Sequence, residues 1–92
     1  MTKQQIVNLV AQKGRISKSL AKIIVDMMFQ GMTEELASGG RIEIRGFGSF
    51  QARRYDGYNA RNPRTGADVE VKPKRMPHFK VGKGLFERLN SR

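Results

Sequence analysis

The feature that most constrains the fold is a run of apolar residues between Ser17 and Ser38. Large apolar side chains recur there at helical spacing, but they cover more than the single stripe that an ordinary surface helix buries. A chain of 92 residues forms one small domain whose core is marginal without help. We therefore expect a second subunit to cover this helix. The apolar residues are Leu20, Ile23, Ile24, Val25, Met27, Met28, Phe29, Met32 and Leu36.

Start and stop signals predict two helices in the first 40 residues. Thr2 and Gln5 have the spacing of a capping box, and apolar residues at helical spacing follow them. Ser17 can cap the second helix, and Ser38-Gly39-Gly40 ends it near Ala37.

After the two glycines the apolar spacing changes from helical to alternating. Ile42 and Ile44 alternate with charged residues, and Gly46-Phe47-Gly48 then provides a tight turn. This Gly-x-Gly lacks the further glycine or the Gly-Lys-Ser/Thr of a nucleotide-binding loop. The pattern therefore predicts a β-hairpin. Further on, Met76-Pro77-His78-Phe79 predicts a strand that pairs with residues 41–52, and a short helix with Leu85, Phe86 and Leu89 follows.

Residues 51–75 form a basic segment with few large aliphatic side chains. Val69 and Val71 alternate with charged residues, and Asn62-Pro63-Arg64-Thr65-Gly66 has turn chemistry. Two strands around a turn are therefore favoured over a disordered loop. At roughly 3.3 Å per residue this ribbon would extend well beyond a small body and stay mobile until it binds a ligand. Its basic residues are Arg53, Arg54, Arg61, Arg64, Lys72, Lys74 and Arg75.

The charge balance favours a polyanionic partner. The chain has 18 Lys and Arg against 8 Asp and Glu, a net charge of +10. Residues 1–40 contribute +2 and residues 41–92 contribute +8. Such an uneven excess favours an electrostatic binding surface over a merely solvated one.

Composition also argues against other classes of function. The chain has no cysteine and one histidine, His78, so we expect no disulfide and no metal site. We expect no cofactor either, because Met and aromatic residues at helical spacing are typical of a core or an interface. No catalytic set of side chains is recognisable, so we do not expect an enzyme. No apolar run could cross a bilayer and the N-terminus is not a secretory signal, so we expect an intracellular, soluble protein.

A basic two-stranded ribbon fits a DNA groove, and arginines are attracted to a narrow minor groove. We expect Arg53, Arg54, Arg61 and Arg64 there. Pro63 is apolar, rigid and without an N–H, so it could wedge between base pairs. On the residues alone, however, an Asn-Pro turn is usually only a turn.

Three motifs resemble the bacterial HU/integration host factor family of DNA-bending proteins: Gly46-Phe47-Gly48-Ser49-Phe50, Arg61-Asn62-Pro63-Arg64-Thr65-Gly66, and Pro77-His78-Phe79 followed by Gly82-Lys83. The likeness covers essentially the whole chain. It implies an α+β fold forming an intertwined dimer. Residues 1–40 would form a helical base, 41–52 and 76–81 a three-stranded antiparallel sheet, 53–75 an extended β-ribbon arm and 82–92 a last helix, all within one domain, 1–92.

The resemblance also implies roles for individual residues. Pro63 would intercalate, Phe47, Phe50 and Phe79 would build the dimer core, and Lys3 and Lys83 would hold phosphates beside the body. Free N–H groups at the helix starts near Thr2 and Lys83 would favour phosphate. The full set of expected DNA-binding residues is Lys3, Glu43, Arg45, Arg53, Arg54, Arg61, Asn62, Pro63, Arg64, Lys72, Lys74, Arg75, Lys80 and Lys83.

Two departures from the family pattern qualify this expectation. Tyr55 and Tyr58 stand where arm arginines are usual, with Asp56 between them, and Ala60 replaces a common glycine. The arm would then bind less tightly or prefer distorted DNA. Stacking of the two rings against the sugar edge or against each other is one alternative, and cross-strand packing that stiffens the ribbon is the favoured role. Secondly, residues 41–47 look more like the β subunit of integration host factor, in which the matching Glu-x-Arg helps to select sequence.

The expected function is therefore architectural. The protein would bind double-stranded DNA through the minor groove, bend it by proline intercalation and compact the nucleoid in the cytoplasm, with little or moderate sequence specificity. Both a homodimer and a heterodimer with a paralogue fit the second helix. Structural RNA binding is a secondary alternative, although the shallow minor groove of A-form RNA suits this arm poorly.

Overall fold

The computed structural model describes residues 1–91, and it confirms the α+β class. The chain divides into two compact units, residues 1–35 and the remainder from Leu36. The elements are α1 (Lys3–Gly14), α2 (Lys18–Ala37), β1 (Arg41–Ile44), β2 (Gly48–Tyr55), β3 (Tyr58–Arg61), β4 (Asp68–Val71), β5 (Lys74–Val81) and α3 (Lys83–Asn90).

The helix starts are held by the predicted side-chain caps. The hydroxyl of Thr2 accepts a hydrogen bond from the Gln5 amide at 3.2 Å, and the Thr2 amide donates to the Gln5 side chain at 2.7 Å. Ser17 accepts from the Leu20 amide at 3.1 Å. α1 ends at Gly14, and its C-cap residue, Arg15, has a φ of +54° that turns the chain. Capping box and helix bounds are therefore confirmed.

The core of the first unit is small. Among the described residues, the buried apolar side chains are Val7, Ala11, Ala21 and Val25, so α1 and α2 meet through one narrow contact. Much of the apolar surface of α2 is left uncovered. The most exposed of its large side chains are Leu20, Ile23, Met27 and Met28, at 45–68%.

The second unit contains an antiparallel sheet in the order β1-β2-β5. β1 pairs with β2 through a tight turn, in which the Phe47 amide donates to the Ile44 carbonyl at 2.9 Å and Gly46 has φ +83°. This confirms the hairpin. β2 pairs with β5 from Gly48↔Val81 to Tyr55↔Lys74, so the sheet continues past the predicted limits at 52 and 76.

The arm is not one uninterrupted ribbon. β3 and β4 form a separate two-stranded sheet, from Tyr58↔Val71 to Arg61↔Asp68. Pro73 has no N–H to continue the ladder. Gly57 lies so close to the backbone at the end of β4 that an added Cβ would be 2.6 Å from the Val71 carbonyl oxygen. The prediction of two strands around a turn is therefore confirmed for β3 and β4. Their pairing does not run on into that of β2 and β5, because the ladder is interrupted beside Pro73.

Candidate nucleic-acid interface

The two faces of the β1-β2-β5 sheet carry different chemistry. Directly paired residues of antiparallel strands share a face, so Phe50 shares one with Ile42 and Phe79. We call this the phenylalanine face. The residues one position out of phase form the opposite, polar face. The polar face comprises Arg41, Glu43, Ser49, Gln51, Arg53, Tyr55, Lys74, Met76, His78 and Lys80.

The polar face brings together four of the expected DNA-binding residues, Glu43, Arg53, Lys74 and Lys80. Arg41, which sequence reasoning missed, lies on the same face. The sequence did contain a signal for it: Arg41 lies two residues before Glu43, and side chains two positions apart in a strand point to the same face. Arg41 forms an ion pair with Glu43 at 3.7 Å. The face therefore has an excess of cations suited to phosphate.

A shallow cleft of about 260 Å³ opens at the hairpin end of this face. Its lining includes Arg41, Glu43, Arg45, Ser49 and Lys80. Arg45 belongs to the turn rather than to a strand, yet the cleft brings it beside Glu43. The expected Glu-x-Arg pair is therefore placed where it could contact one ligand.

Arg54 and Arg75 are separated from this group, because the pairing puts both on the phenylalanine face. The Arg75 guanidinium donates to the carbonyl oxygens of Ala37 and Leu36, each at 3.1 Å. A cation at a helix C-terminus satisfies orphan carbonyls and the negative end of the helix dipole. We therefore revise the expectation for Arg75 to a structural cap of α2. Arg54 forms an ion pair with Asp56, in which Nε of Arg54 lies 3.9 Å from Oδ1 of Asp56.

The tip of the arm is a closed, hydrogen-bonded turn. The Asn62 amide donates to the Ala67 carbonyl at 2.8 Å, and the Gly66 amide donates to the Asn62 carbonyl at 2.7 Å. The Asn62 side chain accepts from the Arg64 amide at 2.9 Å, and the Thr65 hydroxyl accepts from the Ala67 amide at 3.2 Å. These bonds present Pro63 on the outside of the turn, where it is exposed.

The arm sheet also has two unlike faces. Arg61 pairs with Asp68, and Glu70 lies on the same face of the arm sheet. These two carboxylates lower the positive charge around Arg61. Its Nε also points back to the Gly66 carbonyl at 3.4 Å. The other face is apolar and consists of Tyr58, Ala60, Val69 and Val71. Lys72 lies in the break between β4 and β5.

Lys3 has a protein partner. Its ammonium lies 2.7 Å from one Asp26 carboxylate oxygen, and the Lys22 ammonium lies 2.7 Å from the other. These two contacts hold the pKa of Asp26 below its usual value, with the Lys22 hydrogen bond as the larger cause and the Lys3 bond next. A phosphate at Lys3 would therefore have to compete with Asp26.

The start of α3 is built against the β1-β2 turn. The Gly82 amide donates to the Phe47 carbonyl at 2.9 Å, and the Leu85 amide donates to the Gly46 carbonyl at 2.8 Å. The Leu85 N–H is therefore not free for phosphate, whereas the phosphate contact expected at the start of α3 near Lys83 stays a prediction. Lys83 is 3.9 Å from Glu87 and its side chain is 90% exposed, so its ammonium remains accessible.

Three phenylalanines form an aromatic cluster. The Phe79 ring centroid lies 4.8 Å from that of Phe50 and 5.6 Å from that of Phe47. Phe47 and Phe79 remain 45% and 39% exposed. Their role in a dimer core stays a prediction, and the exposed rings are surface that a partner could cover.

The described part of the chain adds two negative findings. Within residues 1–91 no three His, Asp or Glu side chains cluster in a way that could hold a metal ion. None of the helices there is long and apolar enough to cross a membrane.

Comparison with known proteins extends these observations. The family profile described as bacterial DNA-binding protein matches residues 1–90. DNA-binding protein HRL18 of Rhizobium leguminosarum is 41% identical, over 99% of this chain and 100% of that protein. Integration host factor subunit beta of Azotobacter vinelandii is 42% identical, over 98% of this chain and 99% of that protein.

Solved structures match along the same length. An HU protein from Anabaena, crystallised with DNA, superposes with a TM-score of 0.88 at 30% identity and covers 100% of both chains. HU from Thermotoga maritima gives a TM-score of 0.67 at 30% identity, covering 98% of this chain and 100% of that one. The similarity therefore includes the arm, the sheet and all three helices.

Proposed function

Because the chain belongs to the bacterial DNA-binding protein family, whose profile matches residues 1–90, we propose that it binds double-stranded DNA as a dimer and bends it through the minor groove. The observation that carries the proposal is the tip of the arm. A closed turn exposes Pro63 and is flanked by Arg61 and Arg64. The HU relative from Anabaena was crystallised with DNA, which supports DNA as the ligand.

Pro63 is the wedge in this proposal. Its ring presents apolar surface and no unsatisfied donor, and the turn beneath it is held by the Asn62 hydrogen bonds. Unstacking one base step costs on the order of a few kcal/mol. Contacts between the bent DNA and the cations of the polar face offset this cost, with Arg61 and Arg64 holding the arm in the groove.

The body supplies phosphate contacts and a route to moderate site preference. Arg53, Lys74 and Lys80 on the polar face would meet the backbone, as would Lys3 and Lys83 at the helix starts. Glu43 and Arg45, which line one cleft, are the candidates for site preference.

A dimer accounts for the apolar surface that a single chain leaves open. The exposed side chains of α2, including Met27 and Met28, and the rings of Phe47 and Phe79 would be covered by a partner. Either a second copy or a paralogue would satisfy this requirement. One relative is named as a subunit, integration host factor subunit beta. The expected place of action is the nucleoid.

The test of the wedge is the bend angle of a duplex labelled at both ends, measured by fluorescence transfer. We expect Pro63→Ala to keep the protein folded and to reduce the bend. Pro77→Ala, on β5 and away from the tip, is the matched control and should leave the bend of a fully paired duplex unchanged. An unaltered angle with Pro63→Ala would reject intercalation.

A binding titration tests the choice of nucleic acid. Linear, nicked and four-way-junction DNA are compared with duplex RNA at two salt concentrations. We expect the distorted DNA to bind most tightly. A clear preference for duplex RNA would instead support the RNA-binding alternative.

A further inference from the structure

The break in the arm contains a cleft that the proposed wedge does not use. We call it the hinge cleft, and it has a volume of about 430 Å³, within the range of cavities that bind small ligands. Tyr55, the last residue of β2, and Tyr58, the first of β3, both line it. They are the two tyrosines of the chain, which has no tryptophan.

The tyrosine rings remain open to a ligand. Tyr55 is 48% exposed and Tyr58 is 62% exposed. The aromatic pairs within residues 1–91 join phenylalanines, and neither tyrosine takes part in them. Cross-strand neighbours, Lys74 for Tyr55 and Val71 for Tyr58, cover them only in part. Cross-strand packing therefore leaves part of each tyrosine ring exposed to a ligand.

The other lining groups divide by chemistry. Val71, Met76 and Pro77 complete an apolar wall, whereas Lys72 and Lys74 bring two ammonium groups to the same cleft. Asp56 also lines the cleft with a carboxylate, and its side chain is 95% exposed. Aromatic and apolar surface next to cations is the combination that single-stranded nucleic acids require, since bases stack on rings while phosphates meet ammonium groups.

We propose that the hinge cleft binds one unpaired, extrahelical nucleobase of DNA. The base stacks on Tyr55 and Tyr58, and Lys72 and Lys74 hold the flanking phosphates. The Asp56 carboxylate can accept a hydrogen bond from an exocyclic amino group. A paired base offers only its edges, so the ligand must be a base already displaced from the stack. The proposal rests on the proposed duplex binding and specifies which DNA this chain selects.

Three duplexes of one sequence separate base recognition from recognition of a distorted backbone. The first is intact, the second carries a single-nucleotide bulge, and the third carries the same bulge as an abasic nucleotide. We expect the wild-type dimer to bind the bulge with a base about tenfold more tightly than the abasic bulge, the size of one stacking contact. Equal affinity for the two bulges would overturn the proposal.

Matched variants assign the effect to the cleft. Tyr55→Phe and Tyr58→Phe keep the ring faces and should keep the preference. Tyr55→Leu and Tyr58→Leu keep apolar bulk and should abolish the preference, while binding to the intact and abasic duplexes stays within about twofold. A preference that survives both leucine substitutions would place the base elsewhere and overturn the proposal.

Intrinsic fluorescence provides an independent readout, because all tyrosine emission comes from this cleft. We expect quenching with the base-containing bulge and much less with the abasic bulge. Equal quenching by both would contradict stacking. If none of the duplexes bound, the proposed function itself would fail, whereas duplex binding without base preference would reject only the hinge cleft.

Discussion

Gly48 lies directly against the ring of Phe79. A Cβ added at Gly48 would be 2.6 Å from two ring carbons of Phe79 and 2.5 Å from the Lys80 carbonyl oxygen. The absence of a side chain at Gly48 therefore allows β2 and β5 to close on the aromatic cluster.

Gly48→Ala should consequently destabilise the fold, because neither the paired backbone nor the packed ring can move away cheaply. The expected loss is about 1–3 kcal/mol in the free energy of unfolding, the usual cost of overpacking. Denaturant unfolding at a fixed protein concentration measures it. Gly14→Ala is the control, since its Cβ would meet only ordinary contacts with Ile16 at 3.7 Å. It should be neutral or stabilising.

The revised role of Arg75 predicts that two neighbouring cations respond differently to substitution. Arg75→Ala removes the cap from the Leu36 and Ala37 carbonyls and should cost about 0.5–1 kcal/mol of stability, with little change in DNA affinity. Lys74→Ala, on the polar face, should weaken DNA binding with little change in stability. Unfolding and salt-dependent binding are measured on both variants. The reverse pattern would restore Arg75 to the interface.

The tip should depend on the acceptor of Asn62. Asn62→Ala removes the 2.9 Å hydrogen bond from the Arg64 amide, so that amide should exchange faster with solvent. A less ordered tip should also bend DNA less. Asn62→Asp keeps the acceptor and should preserve protection of the Arg64 amide, but its charge opposes phosphate and should weaken DNA binding. Exchange followed by NMR would contradict this account if Asn62→Ala left the Arg64 amide unaffected.

The lowered pKa of Asp26 predicts a pH-dependent stability. Because Lys22 and Lys3 favour its charged form in the folded chain, the contribution is present above the ordinary value of 3.8 and is lost as pH falls through the lower folded-state pKa. Asp26→Asn should be less stable than the wild type near neutral pH, and the gap should close in acid. Asp68→Asn, in the arm, serves as the control. A gap independent of pH would contradict the assignment.

The same ion pairs predict an effect on binding. Asp26→Asn frees the ammonium groups of Lys3 and Lys22 and removes one negative charge. If Lys3 contacts phosphate, the variant should bind DNA more tightly at low salt, with a salt slope steeper by roughly one unit. Adding Lys3→Ala should remove most of that gain. An unchanged slope in Asp26→Asn would argue against a phosphate contact at Lys3.

Local hydrogen bonding made much of the fold predictable. The Thr2 and Gln5 capping box, the Ser17 cap and the Asn62 turn each involve groups a few residues apart, so their residue types and spacing are sufficient. The change from helical to alternating spacing predicted the hairpin for the same reason. The family motifs, which span the chain, predicted the α+β class.

The sequence alone therefore determined the helices, the hairpin, the closed tip with Pro63 exposed and the excess of positive charge. Only the tertiary structure decided which cations act together, because pairing register, not composition, assigns each side chain to a face. Arg53 and Lys74 lie on the polar face, whereas Arg54 and Arg75 lie on the other. Partners distant in sequence, Asp26 for Lys3 and the α2 carbonyls for Arg75, likewise arise only on folding. The hinge cleft likewise depends on folding. Strand pairing is interrupted beside Pro73, and Tyr55 at the end of β2 and Tyr58 at the start of β3 both line the cleft at this interruption.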